Sequence, residues 1–173
     1  MSSLLRQLRI EDAEGMLEWM HDSDTNQYFR FEADKMTKEK AEEFIKESMS
    51  EHNMNYAVAD QNDVYLGTIS LKNINYHDGN AKYAISLRKC ARGTGAAKCA
   101  TLELLQFAFH TLKLQKVYLN VLSENLRAIR FYQKIGFRYV GKSKNHVKIR
   151  GVFHDLMWFE IQKEDVKSGN DTV

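Results

Sequence analysis

A chain of 173 residues has the length of one domain, and at that size about two thirds of the extended chain's surface can be buried, so no staple is needed to hold a core. Hydrophobic residues make 43% and charged residues 28%, which excludes a disordered or fibrous chain. The net charge of +2, from 25 Lys+Arg against 23 Asp+Glu, excludes a strongly basic nucleic-acid-binding surface, leaving room only for a local basic patch. Two cysteines, Cys90 and Cys99, cannot build a disulfide framework, and without a matching His pattern they make no metal site. They read as free thiols of a reducing compartment. The opening MSSLLRQLRIEDAEG has no apolar core of signal-peptide length, and no apolar run reaches the ~20 residues needed to span a bilayer, so a cytoplasmic protein is expected.

Leu4, Leu8 and Ile10 lie in a short opening strand. From Asp12 the spacing turns helical, with Ala13, Met16, Leu17 and Met20 on one stripe. A second amphipathic helix starts near Thr37, its N-cap, and puts Ala41, Phe44, Ile45 and Met49 on one face against Glu42, Glu43, Lys46 and Glu47 on the other. After His52 the period changes to two. Tyr56–Val58, Val64–Ile74 and Lys82–Leu87 read as three strands of an antiparallel meander, joined by turns at 60–63 and 77–80.

From Gly95 to Leu112 runs a helix apolar around most of its circumference, which places it between a sheet and another layer. Lys116–Leu122 is a strand, Asn125–Ile135 a helix stopped by Gly136, and Phe137–Ile161 two strands with a turn near Ile149–Gly151. Residues from Lys163 onward read as a polar, fraying tail of a single domain covering 1–173. The order is that of an α/β fold with a mixed sheet.

Two segments carry chemistry. Arg92-Gly-Thr-Gly-Ala-Ala97 connects a strand to the long helix; its glycines allow close backbone approach, and the unpaired N–H groups of a helix start suit a phosphate. Glycines in such a connection also serve as plain turn residues. The segment lacks the Gly-Lys-Ser/Thr ending of a P-loop and the full Gly-x-Gly-x-x-Gly of a dinucleotide fold, which disfavours an NTPase or a dehydrogenase. The second segment, Asn125-Leu-Arg-Ala-Ile-Arg-Phe-Tyr-Gln-Lys-Ile-Gly-Phe137, follows the next strand, with Ile129, Tyr132 and Ile135 on its core face.

Together, Arg-x-x-Gly-x-Ala entering a helix and Asn-x-x-Ala-Ile-x-Phe-Tyr-x-Lys-x-Gly-Phe one strand later resemble the GNAT superfamily of acetyl-CoA-dependent N-acetyltransferases. The motifs cover Arg92 to Phe137, and the element order matches from about Leu4 to Ile161. The resemblance implies a mostly antiparallel sheet of about six or seven strands with helices on both faces. It implies that main-chain groups around Ile85, Ser86 and Leu87 pair with the pantetheine arm of acetyl-CoA, and that Arg92, Gly93, Thr94, Gly95, Ala96 and Ala97 hold the pyrophosphate. Asn125 would bond the pantetheine or orient Tyr132, and Tyr132 would be the general acid toward the leaving thiolate. No acyl-enzyme is required, which leaves Cys90 and Cys99 as bystanders, the latter as core filler.

The resemblance leaves the base open. Spermidine acetyltransferases of this superfamily carry a carboxylate early in the fourth strand, where this chain has Lys82. Glu124, His146, His154 and Asp155 are the candidates that remain, directly or through water. Around Tyr28–Lys35, Arg30 and Lys35 interleave with Glu32 and Asp34, which weighs against recruiting a polycation, whereas Arg30, Lys144, Lys148 and Arg150 would suit a phosphate-bearing acceptor. The expected acceptor is therefore a small-molecule amine, an amino sugar or its nucleotide conjugate. Spermidine or another diamine and a protein N-terminus are the alternatives, and a non-catalytic CoA-binding module is a rival. No nucleic acid, membrane or metal partner is expected, and a homodimer is left open.

Overall fold

The computed structural model describes residues 4–167. Within them seven strands form one sheet: β1 (Leu4–Gln7), β2 (Met54–Ala59), β3 (Tyr65–Asn75), β4 (Asn80–Leu87), β5 (Lys116–Leu122), β6 (Arg138–Ile149) and β7 (Val152–Gln162). Their spatial order is β1-β2-β3-β4-β5-β7-β6. All neighbours are antiparallel except β4 and β5. The helices are α1 (Ala13–His21), α2 (Ser23–Asn26), α3 (Lys38–Lys46), α4 (Ala96–Gln106) and α5 (Leu126–Ile135). The last turn of the α4 segment, Phe107–Thr111, widens to π-helical geometry.

Alternation along β2 shows how the layers form. Val58 belongs to the larger core, which includes Ala96, Ala100, Leu104 and Leu105 of α4 and Ile129 and Ile135 of α5. Its neighbour Ala57 belongs to the other core, with Met16, Trp19 and Met20 of α1 and Ala41 and Ile45 of α3. Successive side chains point to opposite faces of a strand, so α4 and α5 cover one face and α1 and α3 the other. Polar links tie the second layer down: the Trp19 indole N–H donates to the Tyr65 hydroxyl (2.9 Å), which pairs with Thr68 (2.8 Å), and the Arg6 guanidinium grips the buried Asp12 carboxylate at 2.8 and 3.0 Å.

Three expectations are corrected. Thr37 does cap α3, accepting from the Lys40 N–H, but the helix ends at Lys46, so Met49 lies beyond it and is exposed instead of sharing the face of Ala41 and Ile45. Cys99 is half-buried, not core filler. The segment from Lys163 does not fray over its described part: Lys163–Asp165 form a 3-10 turn, Asp165 accepts from Arg138 (3.1 Å) and from the Gln162 N–H (2.9 Å), and the Lys167 N–H donates to the Ile135 carbonyl (3.2 Å). The remaining tail residues, 168–173, lie outside the described residues.

That docked segment closes over Gly136, the residue after α5, at φ 120°. A Cβ there would meet the Asp165 carbonyl oxygen at 2.1 Å. Both the backbone conformation and the contact require glycine. Gly136→Ala is therefore expected to lower stability by about 2 kcal/mol, or roughly 6 °C in melting temperature, measured by thermal unfolding; an unchanged melting temperature would contradict the packing of the 163–167 segment.

Candidate active site

The parallel pairing of β4 with β5 is short. Asn80, Ala81 and Lys82 face Lys116, Val117 and Tyr118, and beyond that point the strands diverge. On its other edge β4 stays paired with β3 as far as Leu87. The C-terminal part of β4 therefore presents backbone groups toward a gap, where an extended ligand can add as a strand would. Gly67 of β3 helps set this strand end: it sits opposite Leu87, and a Cβ on it would fall 2.3 Å from the Ser86 carbonyl.

The gap opens into a cavity of about 630 Å³. Ile85, Ser86 and Leu87 of β4 line one wall, Arg92, Gly93, Gly95 and Ala97 the approach to α4, and Asn125, Phe131 and Tyr132 the α5 side. Gly93 and Gly95 take φ values of 73° and 84°, the left-handed region that glycine adopts without strain. Gly95 is the N-cap of α4 and offers no side chain to its first turn. A helix start that lines a cavity, preceded by two left-handed glycines, suits a phosphate cradle, with the Ala96 N–H donating to the Thr94 hydroxyl (3.3 Å).

Tyr132 is half-buried in a ring cluster, edge-on to Tyr83 (5.9 Å between centroids), Phe131 (5.6 Å) and Phe137 (5.8 Å). Burial pushes its pKa up to about 12, so the phenol is protonated throughout the neutral range. Tyr83 is buried beneath α4 with its hydroxyl paired to Thr101 at 2.8 Å. Asn125 is the N-cap of α5, its side-chain oxygen accepting from the Ala128 N–H at 3.3 Å, and the helix it caps carries Tyr132 two turns later.

The sequence-predicted residues are thus largely brought together, with differences. Thr94 and Ala96 do not line the cavity: Thr94 donates back to the Ala91 carbonyl (2.6 Å), and Ala96 is packed into the core. The Arg92 side chain is engaged by Thr25 (2.6 Å) and Asp22 (3.2 Å) at α2, which ties the glycine loop to the segment after α1. The Thr25 hydroxyl in turn holds the Asp22 carboxylate below its usual pKa range, with Arg92 adding to the effect. Lys98 and Arg127, absent from the sequence reading, line the cavity as cations. Their positions, in the first turns of α4 and α5, were the available signal.

Among the four candidate bases, the Glu124 carboxylate and the His154 Nδ1 are hydrogen-bonded beside Asn125 although 30 positions apart. Burial would raise the Glu124 carboxyl, but its own backbone N–H and His154 outweigh that and lower it. Asp155 is instead paired with Lys142 (3.3 Å), and His146 lies edge-on to Trp158. Of the basic residues expected to form a phosphate site, Lys148 stands over the Phe153 ring and Arg150 donates to Asn26 (3.4 Å).

Comparison with known proteins matches residues 3–138 to the acetyltransferase (GNAT) domain. The chain belongs to this family. It is an acetyl-CoA-dependent N-acetyltransferase by that membership. It is 30% identical over 101 residues to spermidine N(1)-acetyltransferase of Vibrio cholerae, covering 58% of each chain. It is 27% identical over 99 residues to a Bacillus subtilis protein provisionally named a ribosomal N-acetyltransferase, covering 57% of this chain and 54% of the relative. The chain thus matches little more than half the length of these two relatives. The crystal structure of the Vibrio cholerae spermidine enzyme, solved with CoA and spermine, superposes with a TM-score of 0.85 at 24% identity over 95% of this chain and 97% of that one. The shared architecture is the expected α/β fold, here with seven strands and helices on both faces.

The cradle can be tested at Gly95, where a Cβ would meet nothing within 4 Å. Gly95→Ala bears only the backbone strain, whereas Gly95→Glu adds bulk and negative charge against a pyrophosphate. Calorimetry is expected to show acetyl-CoA dissociation constants that rise by about tenfold or more for the Glu variant, equivalent to ~1.4 kcal/mol, and clearly less for Ala. Equal affinities in wild type and Gly95→Glu would remove the cradle.

Proposed function

We propose that this N-acetyltransferase holds acetyl-CoA in the β4–β5 gap and passes its acetyl group directly to a primary amine of the polyamine or protein N-terminal type. The observation that carries the reading is the convergence of the Ile85–Leu87 edge, the Gly93–Gly95 loop and Tyr132 on one cavity. The relatives named for their acceptors are spermidine and ribosomal N-acetyltransferases, which favours these amines over the amino sugar expected from sequence.

The co-substrate supplies an activated thioester; the chain's residues do the rest. Backbone groups at Ile85–Leu87 hold the pantetheine arm, the glycine loop and α4 start hold the pyrophosphate, and Lys98 and Arg127 add positive charge at the cavity wall. Asn125 fixes the start of α5 and so the placement of Tyr132. Transfer to an amine expels a thiolate, whose reference pKa is about 8.5. With a phenol at about 12, complete proton transfer to sulfur is uphill, so Tyr132 acts chiefly by donating a hydrogen bond as charge develops on sulfur. An incoming amine arrives mostly protonated and must lose a proton. The Glu124–His154 pair is the group we assign to accept it, through water, with the Glu124 carboxylate orienting the imidazole.

Tyr132→Phe is expected to lower kcat by about 10²-fold while leaving the acetyl-CoA dissociation constant within about twofold, measured by CoA-thiol release and calorimetry. An undiminished kcat would remove the donor role. His154→Asn is expected to move the acidic limb of the kcat/KM profile or abolish it; an unaltered profile with normal turnover would remove the base assignment.

A further inference from the structure

A second cavity, of about 320 Å³, shares Ile85 and Ser86 with the first and extends away along the sheet face under α1. Its floor is one face of the β3–β4 ladder. Thr68 stands opposite Ser86, Ser70 opposite Ala84, and Lys72 opposite Lys82. Its walls are apolar: Met16, Trp19 and Met20 of α1, with Phe31, Met36 and Phe44. The slot therefore has a fixed polarity. Its near end adjoins the strand segment assigned to the pantetheine arm, its middle is apolar, and at its far end Lys72 lines the wall with Lys82 opposite it in the ladder.

Among the described residues no carboxylate lines this slot. Lys72 and Lys82 face each other in register, an arrangement of like charges that is unfavourable across a strand pair. Neither forms an ion pair among the described residues, and both are half-buried. Burial lowers the pKa of each, and the neighbouring positive charges of Arg30 and Lys72 lower Lys82 further, as expected of cations set close together without an internal counterion. A group that wins on these terms is an anion. A second ammonium, such as the distal end of a polyamine, meets repulsion.

We infer that the acceptor carries an anionic group, carboxylate or phosphate, joined to its reacting amine through an apolar spacer that places the anion between Lys72 and Lys82. The two cavities meet at Ser86, four residues along β4 from Lys82, so with the reacting amine placed at that junction the spacer spans up to roughly 13 Å at ~3.3 Å per strand residue, less the reach of the lysine side chains. This deepens the functional reading above and rests on it. Among the amines favoured there, it selects a protein or peptide N-terminus followed within a few residues by an acidic side chain, and disfavours spermidine.

The test uses four amines that share one alkyl chain: hexylamine, 6-aminohexanoate, 6-aminohexyl phosphate and 1,6-diaminohexane. Binding to the intact protein saturated with CoA is measured by calorimetry, and acetylation by CoA-thiol release. The carboxylate or the phosphate compound is expected to bind at least about fivefold more tightly than hexylamine and the diamine more weakly, and the better of the two anions identifies the natural group. Lys72→Gln and Lys82→Gln are expected to shrink the ratio between anionic and neutral amines toward unity, while Lys72→Arg preserves it. Equal or tighter binding of the diamine overturns the inference, as does a ratio untouched by both glutamine variants or failure of the anionic compounds to bind. Anion-selective binding without acetylation of any compound would instead count against the transferase chemistry proposed for the cavity and leave the slot's selectivity standing.

Discussion

The structure depends on where the pairing of β4 with β5 stops. Three residue pairs close the sheet at one end, and Tyr83, the next residue of β4, begins the ring cluster of Tyr83, Tyr132 and Phe137. Aromatic bulk takes the place of ladder hydrogen bonds at the point where the strands part. The same event leaves the β4 edge unpaired, opens a cavity, and seats Tyr132 in its wall, so the proposed donor and the proposed binding edge arise from one packing feature. Burial within that cluster is also what keeps the phenol protonated.

Around this gap, the remaining elements act as supports. The cap made by Asn125 and the positive-φ stop at Gly136 bound the helix that carries Tyr132. Gly67 lets β3 approach the end of β4 closely enough to fix Ser86 and Leu87. Arg92 reaches from the glycine loop to Asp22 and Thr25, so the loop that would hold phosphate is linked to the segment that walls the acceptor side. The two cavities that meet at Ile85 and Ser86 thereby share a frame, one suited to a nucleotide and its thioester arm, the other to the body of an amine.

Much of this was legible in the sequence because it depends on local pattern. Period-two runs marked β2 to β4, the apolar circumference of α4 marked a helix between layers, and the glycines marked a close-approach loop at 93–95 and a helix stop at 136, positions where the structure shows positive φ. The illegible parts depend on register and on distant contacts. That Lys72 and Lys82 stand face to face follows only from the β3–β4 register, and the meeting of Glu124 with His154 only from the pairing of β5 with β7. Composition suggested a fraying tail from Lys163 onward, yet one backbone bond to Ile135 and the side chain of Asp165 dock its described part. Counting charges likewise grouped Arg30, Lys144, Lys148 and Arg150, whereas the fold engages Lys148 with Phe153 and Arg150 with Asn26 and sets Arg30 and Lys72 near Lys82.

The central claim is that acetyl-CoA enters the gap where β4 leaves β5. Hydrogen exchange by mass spectrometry, with and without saturating acetyl-CoA, tests it directly. The account predicts slowed exchange at the amides of residues 85–87 and 93–98, with little change in β1 and β2. Saturated binding that leaves those amides unprotected, or that protects the outer face of β6 and β7 instead, would contradict it.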